Sequence, residues 1–436
     1  MTDISPIKRR EIIDALRRGT VPRHGLENFA VGLEPLAPYI DEELSAAAAG
    51  GAGFKAIRGE YGTGKTFFAR WLEHRARERG FATALVQISE TDTPLYRFET
   101  IYRRALESLQ TREWNNGAFR ALIDRWFFDL EAEATPGIRE DDLEGIARAV
   151  GDLLERRLAG VSATQPQFAA ALRAIHRARV QDDHALAEGL LAWLMGQPNV
   201  GAEIKRAAKI KGDLDHRGAG GFFRGLLTVL QQTGRCGLVL VLDEVETIQR
   251  VRGDSREKSL NALRQLIDDL DSGAYPGLYV VITGTPQFYD GPQGIKRLPP
   301  LAQRLHTDFD SFENPRAIQI NLAPFDEAKL IEVGRRVRDL YPAKDPARIA
   351  ARVTDTVLAQ LARGIAGKLG GKLGIAPRIF LRKLVLDLLD KVDIHPTYDP
   401  AQHFQLVVQA SELTPEERAA AGLPSTPDDI PLDLPE

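Results

Sequence analysis

The 436-residue chain is 43% hydrophobic, 27% charged and 7% aromatic, a globular balance, and its length exceeds what one hydrophobic core supports, so two structural units are expected. A formal net charge of -4 excludes a global attraction to nucleic acid, so any DNA contact has to come from a local basic surface or the inside of a ring. One cysteine, Cys236, excludes an internal disulfide framework and a cysteine-based zinc site and fits a reducing compartment, and the eight histidines show no metal-ligand spacing.

The N-terminus MTDISPIKRREIIDALRRG carries charge where a signal peptide needs an apolar core, and no apolar run approaches the roughly 20 residues that span a bilayer. A cytoplasmic chain with no membrane partner is expected. Ile7, Ile12, Ile13 and Leu16 fall on one side of a predicted helix, and Lys8, Arg9, Arg10, Arg17 and Arg18 form either its solvated face or a phosphate contact. Residues 45–53, SAAAAGGAG, read as a small-residue join.

Phe54, Ala56 and Ile57 form a short apolar run ending at Gly59, and Phe67, Phe68, Trp71 and Leu72 recur at helical spacing, which predicts strand, loop and helix. The loop Gly59-Glu60-Tyr61-Gly62-Thr63-Gly64-Lys65-Thr66 matches G-x-x-x-x-G-K-[ST] without a departure. Glycines let backbone N–H groups turn inward and a helix N-terminus carries partial positive charge. Lys65 can then reach the β and γ phosphates of ATP and the Thr66 hydroxyl can ligate Mg²⁺. Phe67 completes the expected nucleotide-contacting set; the alternative is a glycine-rich turn into an ordinary helix.

Residues 82–89, ATALVQIS, predict a second strand. Far more chain follows than one connection needs, so residues from about 95 to 220 are expected to form an inserted helical module. In LEGIARAVGDLLERRL, Leu143, Ile146, Ala147, Val150, Leu153, Leu154 and Leu158 share a stripe. Trp126 and Trp193 sit at helical spacing and read as core rather than as base-stacking platforms. Lys205, Arg206, Lys209 and Lys211 make either a phosphate-contacting patch or a charged loop.

GLVLVLDEVETI then offers a five-residue apolar run, Leu238 to Leu242, suited to a strand buried on both faces of a parallel sheet. Asp243 at its end suits Mg²⁺, directly or through water, and Glu244 suits orienting or deprotonating a water. Leu278 to Ile282 give another buried strand that exits through Thr283 and Thr285, either a γ-phosphate sensor or a plain turn. In IKRLPPLAQRLHTDF, Arg297 or Arg304 is the arginine that a neighbouring subunit's phosphoryl transfer would use, and an ordinary surface pair is the other possibility.

From residue 325 the pattern turns helical, and GIAPRIFLRKLVLDLLDKV opens a helix with Pro377 in its first turn. Arg378 sits beside that opening and faces bound nucleotide if this bundle is a lid; otherwise it is a first-turn arginine in water. Lys368 and Lys372 lie among glycines that either admit a phosphate chain or join two helices. From Glu412 onward the sequence is rich in Pro, Asp and Glu and reads as a mobile tail that repels DNA.

The order of phosphate loop, D-E strand, threonine-ended strand, arginine after a P-P-L turn and helical lid opening with A-P-R resembles the AAA+ ATPases near the origin-recognition and transposition-regulator clade. FKAIRGEYGTGKTFFARWL, GLVLVLDEVETI and YVVITGTPQFYDG are similar to the BREX phage-defence ATP-binding proteins of BrxD type, across about residues 1 to 395. The resemblance implies an α/β P-loop AAA+ core with a parallel sheet, a large helical insertion and a C-terminal helical lid. The expected boundaries are an N-terminal helical segment 1–53, a nucleotide-binding domain 54–324, a lid 325–395 and a tail 396–436. It also implies Lys65, Thr66, Asp243 and Glu244 as the ATPase centre, Thr283 as first sensor, where many relatives carry asparagine, Arg304 as a trans-acting finger and Arg378 as second sensor. The expected function is an oligomeric, Mg-dependent ATPase that switches or loads DNA-acting partners in phage defence. The alternative is a signalling or scaffold ATPase that latches a protein partner without DNA; a helicase fits less well, with one nucleotide core present.

Overall fold

The computed structural model describes residues 4–139, 141–309, 313–369, 377–413 and 417–418, and the chain divides into two compact units. One unit comprises Tyr39–Ala56 and Arg75–Gln319; the other comprises Met1–Pro38, Ile57–His74 and Ile320–Glu436.

In chain order, helix α1 (Pro6–Arg17) and helix α2 (Ala37–Ala48) precede strand β1 (Gly53–Arg58), helix α3 (Lys65–Glu78) and strand β2 (Ala82–Gln87). Seven helices then follow: α4 (Phe98–Glu107), α5 (Ala118–Ala134), α6 (Leu143–Thr164), α7 (Pro166–Val180), α8 (His184–Leu194), α9 (Ala202–Ala207) and α10 (His216–Gln232). Strand β3 (Leu238–Asp243), helix α11 (Gly253–Asp271), strand β4 (Leu278–Gly284), helices α12 (Pro286–Asp290) and α13 (Pro299–Arg304) and strand β5 (Gln319–Asn321) complete the α/β part. Helices α14 (Glu327–Leu340), α15 (Pro346–Arg352), α16 (Asp355–Lys368) and α17 (Pro377–Lys383) follow, α17 running on through a π-helical stretch, Leu384–Leu389, into α18 (Asp390–Ile394), and a short helix α19 (Pro400–His403) comes after.

The sheet has the order β2-β3-β4-β1-β5. β2 pairs with β3 and β3 with β4 in parallel, with Gln87 opposite Asp243 and Leu242 opposite Ile282. Every residue of β3 and β4 is buried, which explains their unbroken apolar runs: a strand covered on both faces has no solvent side to alternate with. Removing one such side chain, as in Leu240→Ala, costs about 2–5 kcal/mol through lost transfer energy and the cavity left behind. Lys55, buried in β1, is tolerated because its ammonium meets the carboxylate of Glu43 at 2.5 Å and the carbonyl of Ala317 at 2.8 Å.

The insertion is a helical layer around aromatic contacts. Tyr102 packs edge-on against Phe222 and Phe223, and Phe168 and Trp193 pack against Phe222. Trp126 and Trp193 are core residues, their indole N–H groups donating to Gln232 Oε1 at 2.9 Å and to the Gly212 carbonyl at 3.0 Å. On α6, Val150, Leu153, Leu154, Leu158 and Val161 are buried, whereas Ala147 is exposed and Ile146 only half-buried, so the expected stripe begins a turn later; the side chain of Leu143 lies outside those described.

In the other unit, α1 packs on α14 and α17 through Ile12, Ile13, Ala15 and Leu16. Ile7 is 70% exposed, against expectation. It lies five residues before Ile12, hence roughly 140° around a helix that turns about 100° per residue. Arg17 fixes the packing: its Nε and Nη2 donate to the Asp390 carboxylate at 2.8 and 2.9 Å, and Tyr341 donates to the same carboxylate at 2.8 Å. Burial and Asp390 together push the Tyr341 hydroxyl well above its ordinary value.

Three further expectations are corrected. Residues 45–48 of the expected join belong to α2, whose Ile40, Leu44 and Ala47 recur on one buried face. The helical pattern expected from residue 325 is split within residues 347–365, because α15 ends at Arg352 and α16 restarts after Thr354. Glu412 and Glu417, expected in a mobile tail, are ion-paired, Glu417 buried and Glu412 half-buried, since their carboxylates meet cations of α17. Lys372 and the rest of residues 370–376, and residues 419–436, lie outside the described residues.

Candidate functional site

The phosphate-loop motif is an apolar strand end handing over to a helix. The hydrogen bond from Leu322 N–H to the Arg58 carbonyl, 2.7 Å, fixes the end of β1, and α3 begins at Lys65. Gly62 and Gly64 have φ of 82° and 95°, backbone conformations that a side chain would strain. Gly59 is required for space, since a Cβ there would lie 2.4 Å from Thr63 Oγ1. Thr63 Oγ1 donates to the Glu60 carbonyl at 2.9 Å, and the buried Lys65 ammonium donates to the carbonyls of Gly59 and Glu60 at 3.0 and 3.2 Å. It also stands 5.0 Å from the Tyr61 ring centre. Phe67 packs edge-on against Phe29. Glycines where a Cβ would clash or strain, a lysine curled into the loop, and Thr66 in the first turn of α3 are the donor set that a nucleotide's phosphates and a magnesium ion fit.

In the sheet-bearing unit, Asp243 is the last residue of β3 and is buried; Thr283 lies in β4, inside the strand and not beyond its end as expected. The fully buried Thr283 hydroxyl donates to the Asp243 carboxylate and accepts the Glu244 backbone N–H at 3.1 Å. Glu244 has φ 60° and ψ 44°, a left-handed conformation costing a non-glycine residue about 1 kcal/mol or more. Thr247 supports it by donating to the Glu244 carbonyl at 3.0 Å. The Glu244 carboxylate receives the side-chain amide of Gln87 at 2.9 Å. Gln87 was missed by sequence reasoning, and only the pairing of β2 with β3, which sets it opposite Asp243, reveals it. Thr285 is buried and precedes α12.

Both arginines of the P-P-L region are engaged within this unit. Arg304 pairs with Asp268, which also binds Arg264 at 2.9 Å, and donates to the Pro300 carbonyl at 2.9 Å. The Arg297 guanidinium donates to Gln293 Oε1 at 3.3 Å. In the other unit Arg378 is not a first-turn arginine in water: its Nε donates to Glu417 at 3.0 Å, and Nη2 donates to the Glu412 carbonyl at 2.6 Å and to the second Glu417 oxygen. Of the basic stretch on α9, Lys205 is tied to Asp213 at 2.6 Å and Lys209 takes a positive φ of 57° at the helix exit.

A parallel sheet whose first strand runs into a glycine loop and a helix defines an α/β protein of P-loop type. The BREX system ATP-binding protein BrxC/D family matches residues 4–408, and the chain belongs to that family. It is therefore an ATP-binding protein of BREX phage defence, with the other proteins of that system as its partners. No curated protein matches the chain. Among the described residues no helix is long and apolar enough to cross a membrane.

Proposed function

We propose that the chain is a BrxD-type AAA+ ATPase that hydrolyses ATP with magnesium, assembles on itself in the cytoplasm and acts as a switch or loader for DNA-acting partners. The observation that carries hydrolysis is the Thr283 hydroxyl, which ties the Asp243 carboxylate to the Glu244 backbone N–H beside a glutamate in strained backbone. Such strain gathers at catalytic positions. Lys65, the loop amides and Thr66 hold the phosphates, Asp243 and Thr66 are the magnesium ligands, and Glu244 takes the proton of the attacking water. Magnesium, when bound, neutralises charge on the transferring phosphoryl group. Arg304 supports assembly: on leaving Asp268 it supplies a delocalised charge to a neighbour's nucleotide, with Arg297 as the other candidate. Thr283 and Arg378 act as sensors of the γ phosphate.

The test is phosphate release across a protein dilution series. Specific activity that falls on dilution supports a shared site, and constant activity across the assembly range contradicts it. Glu244→Gln is expected to retain nucleotide and lose turnover.

One observation favours the alternative, a scaffold ATPase that latches a protein partner: the insertion exposes Phe128 and Val180, about 62% and 60% accessible. Affinity for DNA that falls steeply with salt supports the loader, and absence of such affinity supports the scaffold.

A further inference from the structure

Three cations crowd one region of α17: Arg378, Arg382 and Lys383. Two carboxylates from the C-terminal segment meet them. Glu417 takes Arg378, and Glu412 takes Lys383 at 3.0 and 2.9 Å through its two oxygens and Arg382 at 3.4 Å. Asp387 adds a longer contact to Lys383, 3.4 Å, and shares itself with Lys391. Glu417 is 4% exposed and Lys383 8%, so these are sheltered pairs rather than surface ones. The match is incomplete: Arg382 Nε is buried and has no acceptor among the described residues. A buried donor without an acceptor is costly, so the cluster has capacity for more acceptor oxygens than the two glutamates supply. Gly19 borders the cluster: a Cβ there would stand 3.3 Å from Arg378 Nη1, and its φ of 71° would strain a side chain.

We infer that the Glu412 and Glu417 carboxylates are an internal latch on the Arg378–Arg382–Lys383 cluster, which nucleotide phosphate displaces. The inference rests on the reading of Arg378 as a sensor of bound nucleotide. A carboxylate and a phosphate oxygen recognise the same guanidinium fork, so one occupant excludes the other. In the latched state Arg378 is spent on Glu417, and nucleotide binds against that competition. Linkage makes the relation reciprocal: whatever weakens the latch tightens nucleotide, and saturating nucleotide loosens the two carboxylates.

The experiment compares full-length wild type, Glu412→Gln/Glu417→Gln and Arg378→Ala in Mg·ATP affinity and phosphate release, and follows amide hydrogen exchange of the peptide bearing Glu412 and Glu417 in wild type with and without ATP. The latch predicts roughly tenfold tighter binding or faster turnover in the double glutamine variant, and faster exchange in wild type on adding ATP. Arg378→Ala lowers turnover and abolishes the effect of the glutamine pair when combined with it. If Arg378→Ala impairs turnover while the glutamine pair leaves affinity and turnover at wild-type values and exchange ignores ATP, the latch is overturned and the sensor reading stands. If Arg378→Ala changes nothing, the sensor reading fails and the latch with it. Exchange in unmutated protein keeps the test decisive should the double variant fold poorly.

Discussion

Gln87, at the end of the edge strand, donates its side-chain amide to the carboxylate of Glu244 across 2.9 Å. A carboxylate oxygen engaged by an amide has to leave it before it can take up a water, so this contact holds the proposed water-activating group in check. Gln87→Ala is expected to raise basal phosphate release about threefold to tenfold, the range of a partly solvent-exposed hydrogen bond to a charged group, and to leave nucleotide affinity unchanged. Slower release in the variant would mean that Gln87 positions Glu244 for catalysis.

Thr283→Val is nearly isosteric but removes a hydroxyl that serves Asp243 and the Glu244 N–H together. The Asp243 carboxylate and the Glu244 N–H each lose this hydrogen bond, at a cost of about 1–3 kcal/mol in stability. Thr283→Ser should restore most of it. Urea midpoints of the three proteins measure both effects; equal midpoints for valine and threonine would show that the hydroxyl carries no stability.

His176 is half-buried on α7 against Phe127, with ring centres 5.6 Å apart. Burial is the main cause that lowers its pKa below the ordinary 6.5; Arg179 lowers it further and Glu131 opposes. The folded state therefore binds this proton less readily than the unfolded chain, and the stabilisation is complete above about pH 6.5 and lost as pH falls towards the depressed folded value. His176→Gln should flatten the decline of melting temperature between about pH 7.5 and 5.5; an unchanged slope would assign that decline to other groups.

Arg304 is held by Asp268 within its own chain. If it also completes a neighbour's site, Arg304→Ala spares nucleotide binding and lowers turnover by roughly 10³-fold, whereas Arg297→Ala does little. Mixing Arg304→Ala with Glu244→Gln then restores part of the activity, because one mixed interface carries both intact groups. No recovery on mixing would place the arginine's role within its own subunit.

The phosphate loop was legible because its chemistry is local: glycines that permit positive φ, a lysine and a hydroxyl lie within eight consecutive residues. The fully buried β3 and β4 were legible for a related reason, their apolar runs needing no knowledge of neighbours. Gln87 was not, because its meaning depends on strand register against a residue 156 positions later. Glu412 and Glu417 were misread for the opposite reason. Their acidic, proline-rich surroundings carry the composition of a solvated tail, and only α17 folding alongside converts two of those acids into ion-paired ones. Ile7 shows the limit of apolar counting, since one isoleucine off the face of a short helix is indistinguishable by composition from those on it.

The central claim is that ATP binds the loop from Gly59 to Thr66 through Lys65. Calorimetric titration of Mg·ATP into wild type and Lys65→Ala, both shown folded by circular dichroism, tests it most directly. One saturable site in wild type whose heat disappears in the variant is the predicted result; equal heats in the two proteins, or none in wild type, would contradict it.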